Sequence, residues 1–448
     1  MDEQSQNMQA SENAPILHKE HKNKLWFIAI AVVILLTAGG IYWHYRKQQP
    51  TSQVQFTAVT QDEGQVKTMA DANNYFGFNL YRDIEKKKPD TNLFVSPLSL
   101  SQALGMTANG ASGTTLTEMQ KVLGLSNLGL DNANQYSRTT LDSLKSSTVN
   151  SNPEIQSGDK PTSNIANSLW ANKNSSFLPA FTDTVSKYYD GTSQSLDFAN
   201  PQSLLTINQW VSDRTNAKIT NALDDLSNAD LLLIDAIYFK SSWEIPFDVS
   251  QTQNTSFKTE NNGSKTIPMM SNQSSYTYAE DNGLQIVALP YLGNYSMVAF
   301  LPKQGTNIAD VVSSMTFANY QDYIKKLSSQ DGIVKLPKFN IQYSDTDILS
   351  DLTDLGMTTA GTSQADFSKM SDVPQMISAV IHKTFISTDE KGTEATASTV
   401  VKMMSTAVGP GSTPPPPFQF TADHPFFFTI QNNTDNSIIF MGTVNDPS

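Results

Sequence analysis

A chain of 448 residues, 38% of them hydrophobic, has enough apolar material for one large domain or two to three ordinary ones. Its formal net charge of -13 argues against a nucleic-acid partner, and no basic run is longer than Lys86-Lys87-Lys88, which reads as a solvated helix end. With no cysteine, the chain has no disulfides, no thiolate zinc site and no thiol catalysis.

Residues 1–24 form a short polar tail. Residues 25–43, LWFIAIAVVILLTAGGIYW, carry no charge and as a helix would span roughly 28 Å. Trp26 and Phe27 at one end, and Tyr42, Trp43 and Tyr45 at the other, suit the two membrane interfaces. Ala38-Gly39-Gly40 resembles a signal cleavage site, but aromatics follow it, so the span is expected to remain as a single-pass anchor. Lys19, Lys22 and Lys24 on one side, against Arg46 and Lys47 on the other, favour a membrane-anchored protein with its large C-terminal part extracytoplasmic or extracellular. Residues 44–64 then act as a polar linker and 65–448 as one folded domain.

That domain opens with a helix, marked by Val66, Met69, Phe76, Leu80 and Ile84. Helices are also expected over residues 99–106, over 115–123 before Gly124, and over 203–219. Residues 150–163 read as a low-apolar loop. Strands follow: 231–239, an apolar run buried on both faces; 285–290 and 296–301, a hairpin; and 426–431 with 437–444, a closing pair. Helices early and strands late give the class α+β.

Catalytic signals are close to absent, and the chain is not expected to be an enzyme. His382 lies within an apolar strand-like run and reads as a hydrogen-bonded core residue, and His424 as a turn residue. No metal-ligand spacing occurs, so neither metal nor cofactor is expected. Acidic pairs such as Asp389-Glu390 carry little specificity in so acidic a chain.

Residues 390–407, EKGTEATASTVVKMMSTA, are the most informative stretch. Alternate positions sort into two faces. Thr393, Ala395, Ala397, Thr399, Val401 and Met403 are small and then apolar, while Glu394, Thr396, Ser398, Val400, Lys402 and Met404 are mostly polar. No proline interrupts them, so the segment could enter a sheet between two strands. Gly409-Pro410-Gly411 and the run from Pro414 to Pro417 instead suit an exposed loop, stiff where the prolines adjoin. The stretch is built to be both loop and strand.

Several blocks resemble the serpin family in the right order, over about residues 65–448. They are NLFVSPLSLSQALGMTANGASGTTLTEMQKVLG (92–124), Ile207-Asn208-Gln209-Trp210-Val211 with Lys218-Ile219, and Asp235 to Lys240 with Trp243. Leu289-Pro290-Tyr291, Phe300-Leu301-Pro302, Val334 to Phe339, Asp423-His424-Pro425-Phe426 and Phe440-Met441-Gly442 complete the match. The resemblance implies three β-sheets, about eight to nine helices and an exposed reactive loop at about 390–417. It implies a monomeric suicide inhibitor with a serine or cysteine protease as covalent target. The protease attacks the loop as substrate, and the cut loop inserts into the main sheet.

By that resemblance Glu390, Gly392, Thr393, Glu394, Ala395, Thr396, Ala397 and Ser398 form the hinge that inserts first. Ser96, Ser99, Asp235, His382 and Trp243 form the region where the sheet opens. Small inward residues favour an inhibitor over a non-inhibitory binding or chaperone module on the same fold. The family spacing from Glu390 puts the reactive bond at Thr406–Ala407, with Met404, Ser405 and Val408 as alternative flanking residues. All are uncharged, which points to an elastase- or subtilisin-like protease. Three departures stand out: Ala217 and Ser241 where the family usually has Gly, and Asp235 where it has Asn. A charged Asp235–His382 pair would make sheet opening pH-sensitive.

Overall fold

The computed structural model describes residues 63–145, 162–227, 229–260, 263–393 and 416–448. They belong to the second of two units into which the chain divides, Met1–Gln55 and Phe56–Ser448. The expected anchor at 25–43, most of the expected loop at 150–163 and most of the reactive loop lie outside the described residues. No helix among those described is long and apolar enough to cross a membrane.

The helices are α1 (Met69–Lys87), α2 (Pro97–Ala108), α3 (Gly113–Val122), α4 (Leu130–Lys145), α5 (Pro179–Tyr189), α6 (Pro201–Arg214), α7 (Ile308–Ser314), α8 (Phe317–Lys326) and α9 (Ile348–Asp354). The strands are β1 (Leu93–Val95), β2 (Thr162–Asn172), β3 (Thr192–Leu196), β4 (Leu231–Ser242), β5 (Gln253–Lys258), β6 (Ser264–Asp281), β7 (Leu284–Tyr291) and β8 (Tyr295–Pro302). The remainder are β9 (Ser328–Pro337), β10 (Phe339–Asp345), β11 (Ile377–Asp389), β12 (Gly392–Thr393), β13 (Phe418–Thr421), β14 (Phe426–Asn432) and β15 (Ile438–Val444). The α+β expectation holds among the described residues, with nine α-helices where about eight to nine were expected.

Local chemistry explains the ends of the key elements. α1 starts with a capping box, in which the Thr68 side chain accepts from the Asp71 N–H and the Asp71 carboxylate accepts from the Thr68 N–H. α2 starts at Ser96, whose hydroxyl accepts from the Ser99 N–H, with Pro97 pre-set for the first turn. α2 is buried almost all round, so it is a core helix under the sheets.

The strands form two hydrogen-bonded sheets where three were expected. The six-stranded sheet has the order β10-β11-β12-β4-β2-β3, and the nine-stranded one β1-β15-β14-β8-β7-β6-β9-β13 with β5 on β6. The long strand β6 causes the merger. Its first part pairs with β5 and β9 and its last part with β7, joining what would otherwise be two sheets. The main core lies around α1, α2 and both sheets, and a second cluster packs Ile207 and Val211 of α6 onto Trp170, Ile234 and Ile381.

Three local expectations need correction. The helix expected to reach 219 ends at Arg214, because Asn216 and Ala217 turn into the left-handed region at φ 51 and 57. Lys87 and Lys88 do more than solvate a helix end, since Lys87 pairs with Asp83, Asp351 and Asp354 at 2.6–2.8 Å and Lys88 with Asp345 at 2.5 Å. Thr162 and Ser163 belong to β2 and not to a loop.

Ala217 makes a direct test of backbone strain. A Cβ at that φ opposes the adjacent carbonyl, so Ala217→Gly should raise unfolding stability by about 0.5–1 kcal/mol after the extra entropy of glycine in the unfolded chain. Denaturant unfolding checks this, and a midpoint unchanged or lowered would contradict it.

Candidate functional site: the seam between β4 and β11

β4 and β11 run side by side in parallel, from Leu231 against Ile377 to Tyr238 against Phe385. Beyond that level β12 is wedged between them, antiparallel to both. Gly392 stands opposite Asp389 and Ser242, and Thr393 opposite Thr388 and Ser241. Two residues of a central strand are thus already in place at one end of a closed parallel seam. Gly392 is required there: its φ is 149, and a Cβ would sit 2.3 Å from the Ser241 carbonyl oxygen and 2.6 Å from the Ser242 Cα. Thr393 is fully buried, and its hydroxyl hydrogen-bonds the Tyr291 hydroxyl at 2.7 Å.

Trp243 closes this end. Its ring stacks on Tyr291 at 4.1 Å and 9°, its indole N–H donates to the Asp389 carbonyl at 3.0 Å, and its backbone N–H donates to the Lys391 carbonyl at 2.8 Å. Glu390 anchors the turn that feeds β12. It accepts from Lys338 Nζ and from the Thr252 hydroxyl, each at 2.8 Å. Burial pushes its carboxyl up, but Lys338 and Thr252 outweigh this and hold it below the usual carboxylate range. Asp389, its neighbour, accepts from the backbone N–H of Lys391 and Gly392.

Six positions down the seam, about 20 Å at ~3.3 Å per residue, His382 faces Asp235. Both are fully buried, and His382 Nδ1 lies 2.5 Å from Asp235 Oδ2. The Ser96 N–H donates to His382 Nε2 at 3.0 Å, so the ring carries its proton on Nδ1 and gives it to the carboxylate. The Ser99 hydroxyl donates to the other Asp235 oxygen, and the Ser96 hydroxyl donates to the Ile439 carbonyl at 2.7 Å. This corrects the expectation of two charges. The imidazole is neutral, and a second proton would have to displace the Ser96 N–H.

The expected residues therefore fall into two clusters, Glu390, Gly392, Thr393 and Trp243 at the open end, and Ser96, Ser99, Asp235 and His382 midway. Glu394, Ala395, Thr396, Ala397 and Ser398 of the hinge, and Met404, Ser405, Thr406, Ala407 and Val408 at the reactive bond, lie outside the described residues. Sequence reasoning missed Lys338, Thr252 and Asp389. Only a match between distant blocks could have paired Lys338 with Glu390. His424 is more than a turn residue: buried, it contacts the Pro302 carbonyl through Nε2 at 2.8 Å and Asp423 through Nδ1 at 2.7 Å.

A family model for serpins, described as serine protease inhibitors, matches residues 71–447. The chain belongs to the serpin family. Serpin B6 of Pongo abelii is 33% identical over 393 residues, covering 85% of this chain and 99% of that protein. The native-state structure of tengpin, a thermophilic serpin, is similar at 30% identity and TM-score 0.74, covering 87% and 96%. Human thyroxine-binding globulin complexed with thyroxine is similar at 27% identity and TM-score 0.75, covering 85% and 98%. Membership corrects the bare expectation that the chain is not an enzyme, which rested on missing motifs. The family's class is that of serine protease inhibitors, defined by what it does to an enzyme.

Two outcomes follow for the clusters. Lys338→Met should cost about 1–2 kcal/mol at pH 7, discounted for the partial exposure of Lys338. Because the Glu390 carboxyl is depressed, its contribution is present above the usual carboxylate range and lost as pH falls through the lowered value. The gap from wild type should therefore close in acid, and a pH-independent gap in urea titrations would contradict it. Asp235→Ala strands two buried donors and should cost about 2–4 kcal/mol, whereas Asp235→Asn, which keeps an acceptor for His382, should cost clearly less. Equal losses would contradict the assigned tautomer.

Proposed function

We propose that this serpin is a suicide-substrate inhibitor of serine proteases whose cut loop completes the strand that β12 begins. The observation that carries the reading is the register at the seam. Gly392 pairs with Ser242 on one side and Asp389 on the other, so each later loop residue steps one place down both strands. Continued, Ala395 falls between Phe239 and Ile386, Ala397 between Ile237 and Thr384, and Val401 between Leu233 and Val380, all buried positions. Small or apolar side chains suit that face. On the opposite face Val400 would meet Ile234 and Ile381, members of the cluster under α6, which suits one of the two apolar residues on the mostly polar face.

The two ladders agree with each other. Counting down either one brings Thr399 to the level where Asp235 faces His382. Its hydroxyl can accept from His382 Nδ1 and donate to Asp235, replacing the hydrogen bond that insertion breaks. The last place on β4, Leu231, falls to Met403, so insertion fills the positions of β4 from Lys240 to Leu231 that β12 does not already pair, about 33 Å at ~3.3 Å per residue. An acyl-linked protease near Thr406–Ala407 would travel that distance. Parallel ladders are slightly weaker than antiparallel ones, so replacing one parallel seam by two antiparallel ladders is downhill once the chain is cut.

An elastase- or subtilisin-like protease is the proposed target, because Met404, Ser405, Thr406, Ala407 and Val408 are uncharged. Residues 25–43 would tether the serpin domain outside the cell as a single-pass anchor. Thyroxine-binding globulin shows that a protein of this architecture can bind a small molecule, which defines the competing reading.

Incubation with elastase or subtilisin should give an SDS-stable complex and, on the denaturing gel, a C-terminal fragment whose mass locates the bond. Before denaturation that fragment stays bound, because β14 and β15 are buried between β8 and β1. Ala397→Arg, which places a charge between Ile237 and Thr384, should turn inhibitor into substrate, with cleavage retained and complex lost. Cleavage of the wild type without complex would sink the inhibitory reading in favour of a binding module.

A further inference from the structure

Glu85 has no role in this mechanism. It lies in the last two turns of α1, is 2% exposed, and neither carboxyl oxygen has a hydrogen-bond partner among the described residues. A carboxylate is rarely buried so completely without a partner, because the charged form loses its water and gains nothing in return. Its surroundings deepen the problem. Asp90, held at φ 61 in the turn after α1, and Glu260, in the turn between β5 and β6, both repel its charge. Asp310 of α7 and His424, ahead of β14, face Glu260 in turn. On α1 itself Tyr81 is the titratable neighbour, with its hydroxyl bonded to Thr443 at 2.6 Å.

We infer that Glu85 is a proton-binding site that couples the packing of α1 to pH, through an uncharged carboxylic acid in the folded state. Burial, then Asp90 and Glu260, push its carboxyl up to about 7. Between the ordinary carboxyl range and that value, the folded chain holds a proton that the unfolded chain has released. Stability therefore falls as pH rises through this window and levels off above it. α1 packs on α2, α7, α9 and β15, so a charge on Glu85 loosens the helix that spans the core. Through this one group, α1 is more firmly held in mildly acidic surroundings than in alkaline ones.

The test is thermal unfolding of the full chain and its Glu85→Gln variant at pH 5 and pH 8, with an NMR titration of the 13C-labelled glutamate carboxyls. The amide cannot ionise, so the variant's unfolding temperature should exceed that of wild type by a gap that widens by several degrees from pH 5 to pH 8. One carboxyl resonance, absent from Glu85→Gln, should titrate near neutrality, and Glu260→Gln should move its midpoint down. A gap equal at both pH values, or a Glu85 resonance titrating in the ordinary carboxylate range, would overturn the proposal. If Glu85→Gln does not fold, the Glu260→Gln titration shift decides alone.

Discussion

The parallel pairing of β4 with β11 is the contact on which the rest of this molecule depends. Central strands that run parallel, with no strand between them, leave room for one more strand antiparallel to both. The chain has begun to fill that room with Gly392 and Thr393. The ladder that closes the remainder is reinforced by side chains at two levels. Trp243, Tyr291 and the Glu390–Lys338 pair clamp the open end, and the Asp235–His382–Ser99 bonds staple the middle. On the proposed inhibitory reading this closed state is stable in the kinetic sense, its lifetime set by a barrier and not by the depth of its well.

The far end of the loop is tied down as well. Phe418 of β13 stacks on Tyr278 at 3.9 Å and 6°, and its ring covers Gly332 so closely that a Cβ there would meet it at 2.2 Å. β13 runs parallel to β9 at the edge of the nine-stranded sheet, and the Gln285 side chain donates to the Gln419 carbonyl. An uncut chain can advance into the seam only by pulling against these contacts. On the proposed inhibitory reading, a cut near Thr406 would remove that resistance and let one covalent event release a conformational one.

Much of the framework was legible in the sequence because its signals are local. The capped start of α1, the doubly buried β4, the β7–β8 hairpin and the strand-like run around His382 each follow from residue type and period. The two-faced order of residues 393–403 is equally local in the sequence, but only Thr393 of it lies among the described residues, and a register for the rest could be proposed only with β12 in place. What stayed hidden depends on distant partners or on backbone conformation. Lys338 finds Glu390 across 52 residues, and the merging of two sheets turns on the length of β6. The strain at Ala217 is a matter of φ, and the neutrality of His382 is set by one backbone N–H from Ser96.

A crystal structure of the chain after cleavage of its loop tests the central claim most directly. The account predicts a new strand, residues 392–403, antiparallel between β4 and β11, with the Thr399 hydroxyl between Asp235 and His382. A cleaved structure in which Leu231 to Tyr238 still pair with Ile377 to Phe385 would contradict it.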